Sequence, residues 1–338
     1  MASPEISVLM SVYNDRPFLS EAVQSILNQD FEDFEFIIIN DGSTDGSADD
    51  LVLWSQTDSR IRLFHQENLG LPVALNRGIK ESKGALIARM DADDISQPSR
   101  FRLQRNFLKA HPDVGVLGTG IVRIDDQGRE SQERWLLPSS PGLTLWRTLF
   151  DCALSHPTIM VWRSILEQSG GYDETFPRAQ DYELWMRLAL VTKMQNLPQS
   201  LVQRRITGAG KNLTPPDVSA ALVQRMATLH AAFLDYTPKT SDVAFCRRIY
   251  DNPAAGESAL ALITRRISYL NRLYTGLLLR NANARAESVY IKADLHRKIM
   301  RVAYDAQQSR PFFGQFLKLF VPGWPLLVVK RLQRFWLE

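Results

Sequence analysis

The sequence predicts an α/β protein, a Rossmann-like and mostly parallel sheet flanked by helices, with a helical extension at its C-terminal end. Three observations predict it. Short apolar runs of strand length alternate with segments of helical period in the N-terminal part. The runs open into polar loops rich in turn formers. After Pro215-Pro216 only helical patterns remain, which divides the chain into residues 1–212 and 213–338.

Residues 6–12 form the first apolar run, read as a buried strand, and Pro17 suits the first turn of the helix that follows. Leu19, Ala22, Val23, Ile26 and Leu27 recur at helical spacing across it. A second strand over 34–39 ends in Asn40-Asp41-Gly42-Ser43-Thr44-Asp45-Gly46, and a helix to about Trp54 follows. Residues 61–64 are a third strand, 71–81 a third helix and 85–89 a fourth strand. In this alternation the strands are parallel and ligands bind beyond their carboxyl ends, where Tyr13, Asp41 and Asp91 fall.

That fourth strand runs into Met90-Asp91-Ala92-Asp93-Asp94. Close carboxylates repel, and a cation relieves the repulsion. Asp91 and Asp93 share a side if the chain stays extended, and hard oxygen ligands suit Mg²⁺ or Mn²⁺ shared with a substrate's phosphates. Taken alone, the run equally reads as a polar turn capping a helix that begins near Ser99. A dinucleotide enzyme is excluded, because no glycine follows the first strand and Arg123 stands where Gly118-Thr119-Gly120 needs a third glycine.

Composition narrows the classes further. A net charge of +3 over 338 residues does not argue for nucleic acid. Cys152 and Cys246 show no zinc or CxxC spacing and imply a reducing compartment. There is no signal-peptide pattern and no spanning apolar stretch, so the protein is expected to be cytoplasmic.

Val12-Tyr13-Asn14, Asn40-Asp41-Gly42-Ser43-Thr44-Asp45, Asn68-Leu69-Gly70 with Ala74-Leu75-Asn76-Arg77-Gly78, and Asp91-Ala92-Asp93-Asp94 occur in that order. Together, over residues 5–210, they resemble the nucleotide-sugar-binding half of a family 2 glycosyltransferase of the type that decorates bacterial surface polysaccharides. The resemblance implies a GT-A fold and inverting transfer of a hexosyl or N-acetylhexosaminyl group from a nucleotide diphosphate sugar, with a UDP-sugar favoured. It places Val12, Tyr13, Asp41, Asn76, Asp91, Ala92 and Asp93 around the donor. Tyr13 would lie against the base, Asp41 accept from its edge, Asp91 hold the ribose, and Asp93 carry the Mn²⁺ or Mg²⁺ that bridges the phosphates. On the residues alone, Asp41 is equally a turn former or helix cap and Tyr13 a packed loop aromatic. Asp94 is expected to support the run or cap the next turn.

Residues 114–124 read as two short strands broken at Gly-Thr-Gly, 125–128 as a turn and 135–142 as an irregular link. Ser155-His156-Pro157-Thr158 opens a strand through Trp162. The resemblance then points to Asp181, in Ala179-Gln180-Asp181-Tyr182-Glu183, as the general base at a helix start, with Glu183 and Asp173 in reserve. A helix N-terminus would keep such a carboxylate ionised. His156, Tyr182 and Trp185 are acceptor-side candidates, although a structural histidine and core aromatics explain them as well. Many relatives carry a Tyr-Arg-x-His whose histidine completes the metal site. Here Arg204-Arg205-Ile206-Thr207 puts a threonine in that place, and Arg204, Arg205 or Lys211 would offset diphosphate charge instead.

Gln132-Glu133-Arg134-Trp135 is one residue short of the processive-synthase signature and precedes the catalytic segment, which excludes that reading. Beyond 216, helices are expected over 217–236, 257–280 and 285–308. Phe312, Phe316 and Phe320 with Lys330, Arg331 and Arg334 suit a helix lying on the inner membrane surface, or one docked on its own domain or on a second subunit. The partners expected are therefore a nucleotide-sugar donor, a saccharide or lipid-linked acceptor and that membrane face, with no nucleic acid. The rival classes are a non-catalytic nucleotide-sugar binder and a sugar nucleotidyltransferase. The latter would need a Gly- and Arg-rich phosphate loop that residues 12–17 do not provide.

Overall fold

The computed structural model describes residues 3–135, 137–206, 216–247 and 259–307. Its N-terminal part alternates as expected: β1 (Ile6–Val12), α1 (Arg16–Leu27), β2 (Phe34–Asp41), α2 (Ser47–Thr57), β3 (Ile61–Gln66), α3 (Leu71–Glu81) and β4 (Leu86–Asp91). β2 is buried along its whole length and β1 almost so, which is why their sequences read as continuous apolar runs instead of alternating ones. β1 pairs in parallel with β2 on one side and β4 on the other, with Val12 opposite Asn40 and Ser11 opposite Asp91. The carboxyl ends of the three strands therefore open at one level, at the point where the strand order reverses.

The second half adds β5 (Ile95–Ser96), α4 (Arg100–Ala110), β6 (Val114–Ile124), β7 (Glu130–Trp135), α5 (Pro141–Thr148), β8 (Met160–Trp162), α6 (Arg163–Gln168), α7 (Gln180–Leu188) and β9 (Lys193–Arg205). Among the described residues the sheet runs β3-β2-β1-β4-β8-β6-β9-β5, with β7 on β6. β8 is antiparallel to β4 and to β6, so β6 and β9 return to the direction of the first four strands.

Two expectations are corrected here. Residues 114–124 are one strand, because the glycines let β9 come close: a Cβ on Gly118 would sit 2.2 Å from Asn196 Oδ1. The ladder absorbs the irregularity as register shifts near Thr119 and Gly120. Residues 156–158 form a 3₁₀ turn before β8, which begins only at Met160.

The helical part consists of α8 (Pro216–Ala231), α9 (Thr240–Arg247), α10 (Ala259–Arg280), α11 (Ala282–Ala286) and α12 (Ser288–Gln307). The expected helix over 217–236 stops at Ala231, and the one over 285–308 divides at Glu287. These helices share an apolar core with α5 and with one face of α7, through Leu145, Trp146, Tyr182 and Met186. The other face of α7, Leu184, Trp185 and Leu188, packs into the core against the sheet. α7 thus joins the two layers, which fixes where its first turn points. No described helix is long and apolar enough to cross a membrane. The expected surface helix over 311–336, like Thr207 and Lys211, lies outside the described residues.

Candidate active site

The loops beyond β1 and β2 brace each other. Asn14 turns through a positive φ of 57° and accepts from the Thr44 N–H at 2.8 Å, while its own N–H donates to Ser43 Oγ. This leaves Tyr13 47% exposed on the surface. Val12 is fully buried, and its carbonyl accepts from Ser43 Oγ at 3.4 Å. Asp41 is 2% exposed and accepts from Gln66 Nε2 and from the Leu69 and Gly70 N–H groups at 2.8–3.0 Å. It therefore holds the 68–70 loop.

Asn76 also braces a loop. Its amide accepts from the Tyr172 N–H and donates to the Tyr172 carbonyl and to Glu174, so it staples α3 to the 172–174 loop. Ala92 is 3% exposed and packed in the core, where its small methyl lets the acidic run turn.

The acidic run converges as expected. Asp91, Asp93 and Asp94 each offer an oxygen within 4.8 Å of the others. The three carboxylates differ in what surrounds them. Asp91 pairs with the buried Arg89 guanidinium, and this pairing holds it below the ordinary carboxylate range despite burial. Burial and the neighbouring charges of Asp91 and Asp15 push Asp93 up to about 6. Asp94 is pushed up by burial and by the charges of Asp91 and Asp93, although its Oδ1 accepts from the Arg205 N–H at 2.8 Å. Its Oδ2 is buried with no partner. Orphaned oxygen and mutual repulsion together fit a divalent cation, which prefers hard oxygen ligands and would relieve both.

Arg205 is not the free cation the sequence suggested. It donates to the Asp93 and Asp125 carbonyls and to Glu21, and stacks over Phe18, locking β9 to the acidic run. Arg204, its neighbour, faces the cavity and has no ion-pair partner among the described residues. Its charge lowers Asp91, Asp94, Asp181 and His156 alike.

That cavity, about 550 Å³, is lined by Arg89, Asp91, Cys152, His156, Asp181 and Arg204 among others. Asp181 enters it because Ala179 takes a left-handed φ of 56° just before α7. Asp181 Oδ1 accepts from the Tyr182 N–H at 2.8 Å, and Oδ2 from Cys152 Sγ at 3.7 Å. The helix start does not keep this carboxylate low. Burial raises it above the ordinary range, opposed by the Tyr182 N–H and by Arg204 and Arg89. His156 is held neutral by burial and by Arg89, and its Nε2 meets the Tyr172 hydroxyl at 2.8 Å.

The aromatic acceptor platform is corrected outright. Trp185 is wholly buried, and Tyr182 is 5% exposed with its hydroxyl donating to the Thr148 carbonyl. Both serve the two cores that α7 joins. The reserve bases are also spoken for: Glu183 pairs with Arg187 and Arg225, and Asp173 with Arg225. Sequence reasoning missed Arg89, although its place two residues before Asp91 puts both on one face of β4. Cys152 gave no signal, since α5, the element before it, was not anticipated.

The family model "Glycosyl transferase family 2" matches residues 7–170. The O-antigen biosynthesis glycosyltransferase WbnJ of Escherichia coli is 32% identical over 205 residues, which is 60% of this chain and 79% of that one. Staphylococcus aureus TarS residues 1–349, solved with UDP-GlcNAc, superposes with a TM-score of 0.60 at 17% identity, over 91% of this chain and 93% of that one. The mannosyltransferase PcManGT of Pyrobaculum calidifontis, solved with GDP-Man and Mn²⁺, gives 0.50 at 16% identity, over 92% and 89%. At those identities the two structures show the fold alone, a GT-A sheet with helices following it. With these likenesses beside the ordered motifs and the acidic run, the chain belongs to glycosyl transferase family 2.

Proposed function

We propose that this glycosyltransferase moves one hexosyl or N-acetylhexosaminyl group, with inversion, from a UDP-sugar to a saccharide or lipid-linked saccharide acceptor. One observation carries the reading. Asp91 at the sheet's carboxyl edge and Asp181 at the start of α7 line the same cavity, so a donor held at the first presents its sugar to the second. The names of WbnJ, an O-antigen enzyme, and of TarS bound to UDP-GlcNAc support the acceptor and donor classes.

In this reading residues 1–212 carry catalysis. Tyr13, exposed at the end of β1, offers its ring to the base. Asp91, kept ionised by Arg89, accepts from the ribose hydroxyls. Asp93, with Asp94 behind it, would hold Mn²⁺ or Mg²⁺, whose chemistry is to neutralise the leaving diphosphate. Arg204 adds a cation beside that diphosphate, in the region where relatives place a histidine.

Asp181 takes the proton of the acceptor hydroxyl through its open lone pairs. The acceptor oxygen forms its bond to the anomeric carbon as the bond from that carbon to the diphosphate oxygen breaks. The electron pair leaves with the nucleoside diphosphate. His156 orients the wall through Tyr172 and does not itself take the proton, since burial and Arg89 disfavour the imidazolium it would become. The enzyme acts in the cytoplasm on the inner membrane face, with the helical part following the catalytic domain.

Incubating the purified protein with Mn²⁺ or Mg²⁺ and a panel of nucleotide sugars tests the reading. Release of nucleoside diphosphate from one donor, abolished by Asp93→Ala and by Asp181→Asn, is the expected result. If no donor raises the thermal midpoint with metal present, the assignment is wrong.

A further inference from the structure

The charge of the chain is not evenly spread. Residues 259–307, which form α10 to α12, hold nine Lys and Arg against three Asp and Glu, a net of +6 in a protein whose total is +3. The rest of the chain is therefore net negative. Two of the three acids are engaged by neighbouring groups. Glu287 accepts from Ser140 Oγ and from the Gly142 and Leu143 N–H groups, capping α5. Asp294 accepts from Trp146 Nε1 at 2.7 Å and pairs with Lys298. Asp305 lies in the last turn of α12.

The cations are arranged the other way. Arg272, Arg285 and Lys292 are exposed and have no ion-pair partner among the described residues. Around them stand large apolar side chains that a water-facing helix pair would not need. Leu279 is 68% exposed, Val289 76% and Tyr290 67%. Leu279, Arg285, Val289, Tyr290 and Lys292 all lie where α10 turns through α11 into α12. A groove of about 760 Å³ opens beside this turn, lined by Phe233, Tyr236, Arg272, Leu279 and Arg280.

We propose that the α10–α12 turn is a docking surface for an anionic lipid bilayer, with Arg272, Arg285 and Lys292 at the phosphate level and Leu279, Val289 and Tyr290 entering the interface. Unpaired cations alone would suit any polyanion. Exposed apolar and aromatic groups among them suit the headgroup boundary and not a nucleic-acid backbone. The surface is tied to the active site: Glu287 grips Ser140, which follows by three residues Leu137, a wall of the cavity. A bilayer at this turn holds a lipid-linked acceptor near Asp181. The inference rests on the proposed glycosyl transfer only for that last step, and it is independent of residues 308–338.

The test uses the full chain with sedimenting vesicles of phosphatidylcholine, with or without phosphatidylglycerol, and duplex DNA as a second polyanion. Binding to the anionic vesicles, weakened by salt, is expected. The triple variant Arg272→Gln, Arg285→Gln, Lys292→Gln is expected to bind them at least tenfold more weakly, at roughly fivefold per charge near the surface. Val289→Ser with Tyr290→Ser is expected to weaken vesicle binding without changing any interaction with DNA. Donor hydrolysis in free solution stays at the parent rate in both variants, which separates failure here from failure of the catalytic reading. Unchanged vesicle binding by the triple variant overturns the proposal. So does no vesicle binding by the parent, or binding to DNA as tight as to vesicles.

Discussion

Asp91 and Asp93 at the end of β4 and Asp181 at the start of α7 are half-buried carboxylates, Asp91 and Asp181 lining one cavity, yet burial leaves them in different states. Asp91 has a guanidinium in contact and stays ionised. Asp93, two residues on, has like charges beside it and is pushed up to about 6. Asp181 has no ion-pair partner among the described residues, and its raised state reflects burial eased by one N–H and by Arg204 and Arg89. On the proposed reading one residue type thus supplies a fixed hydrogen-bond acceptor, a cation ligand and a proton acceptor. Neighbours, not identity, assign the roles.

The largest effect that sharpens this contrast is expected from Asp181→Asn. Loss of a general base costs about 10²–10⁴ in kcat, while nucleotide affinity measured by calorimetry stays at the parent value. A comparable drop in nucleotide affinity would merge the two regions into one site.

Trp185→Ala comes next, because it separates structure from chemistry on the same helix. Removing a wholly buried indole is expected to cost about 3–5 kcal/mol of stability. The readout is the denaturant midpoint. A large rise in acceptor KM with the midpoint unchanged would restore the acceptor-platform reading.

Asp93→Asn should affect stability and binding in opposite directions. In the fold Asp93 holds its proton up to about 6, whereas in the unfolded chain it does so only to about 4. Its contribution therefore favours the fold at low pH and is lost as pH rises through 6. The asparagine variant is expected to gain roughly 1–2 kcal/mol relative to the parent at pH 8 and little at pH 4, read from Tm across that range, while metal-dependent nucleotide binding disappears. A variant less stable than the parent at pH 8 would show that the repulsion is already relieved by protein groups.

Arg204→Gln is the smallest. Without that cation Asp181 rises further, so the acid limb of the kcat/KM profile moves to higher pH. At pH 6 kcat/KM is expected to fall below the parent's, with a smaller change above the limb. An unshifted limb would place Arg204 with the diphosphate alone.

Much of the sheet was legible because its strands are buried on both faces and its helices carry an apolar stripe. The runs at 6–12, 34–39 and 85–89 and the helix over 71–81 needed no tertiary information. The strand over 114–124 was misread because its glycines answer to β9, a partner 80 residues away that local pattern cannot reveal. At the site, the family resemblance pointed to the acidic run and to Asp181, and Asp91 and Asp181 line one cavity. The resemblance did not reveal that Asp41, Asn76 and Trp185 spend their polar or aromatic groups inward, since that depends on which loops close over them. Arg205 and Arg204 are adjacent and chemically alike. Only the fold distinguishes the lock from the free charge, by pointing one at Glu21 and the other into the cavity.

The central claim is that donor binding and proton abstraction are separate tasks of the two carboxylate regions. Calorimetric titration of UDP with Mn²⁺ into the parent, Asp93→Ala and Asp181→Asn, with turnover measured on the same samples, tests it most directly. Parent-like UDP affinity without turnover is expected in Asp181→Asn, and loss of the Mn²⁺-dependent part of binding in Asp93→Ala. Turnover retained by Asp181→Asn, or Mn²⁺-dependent binding retained by Asp93→Ala, would contradict it.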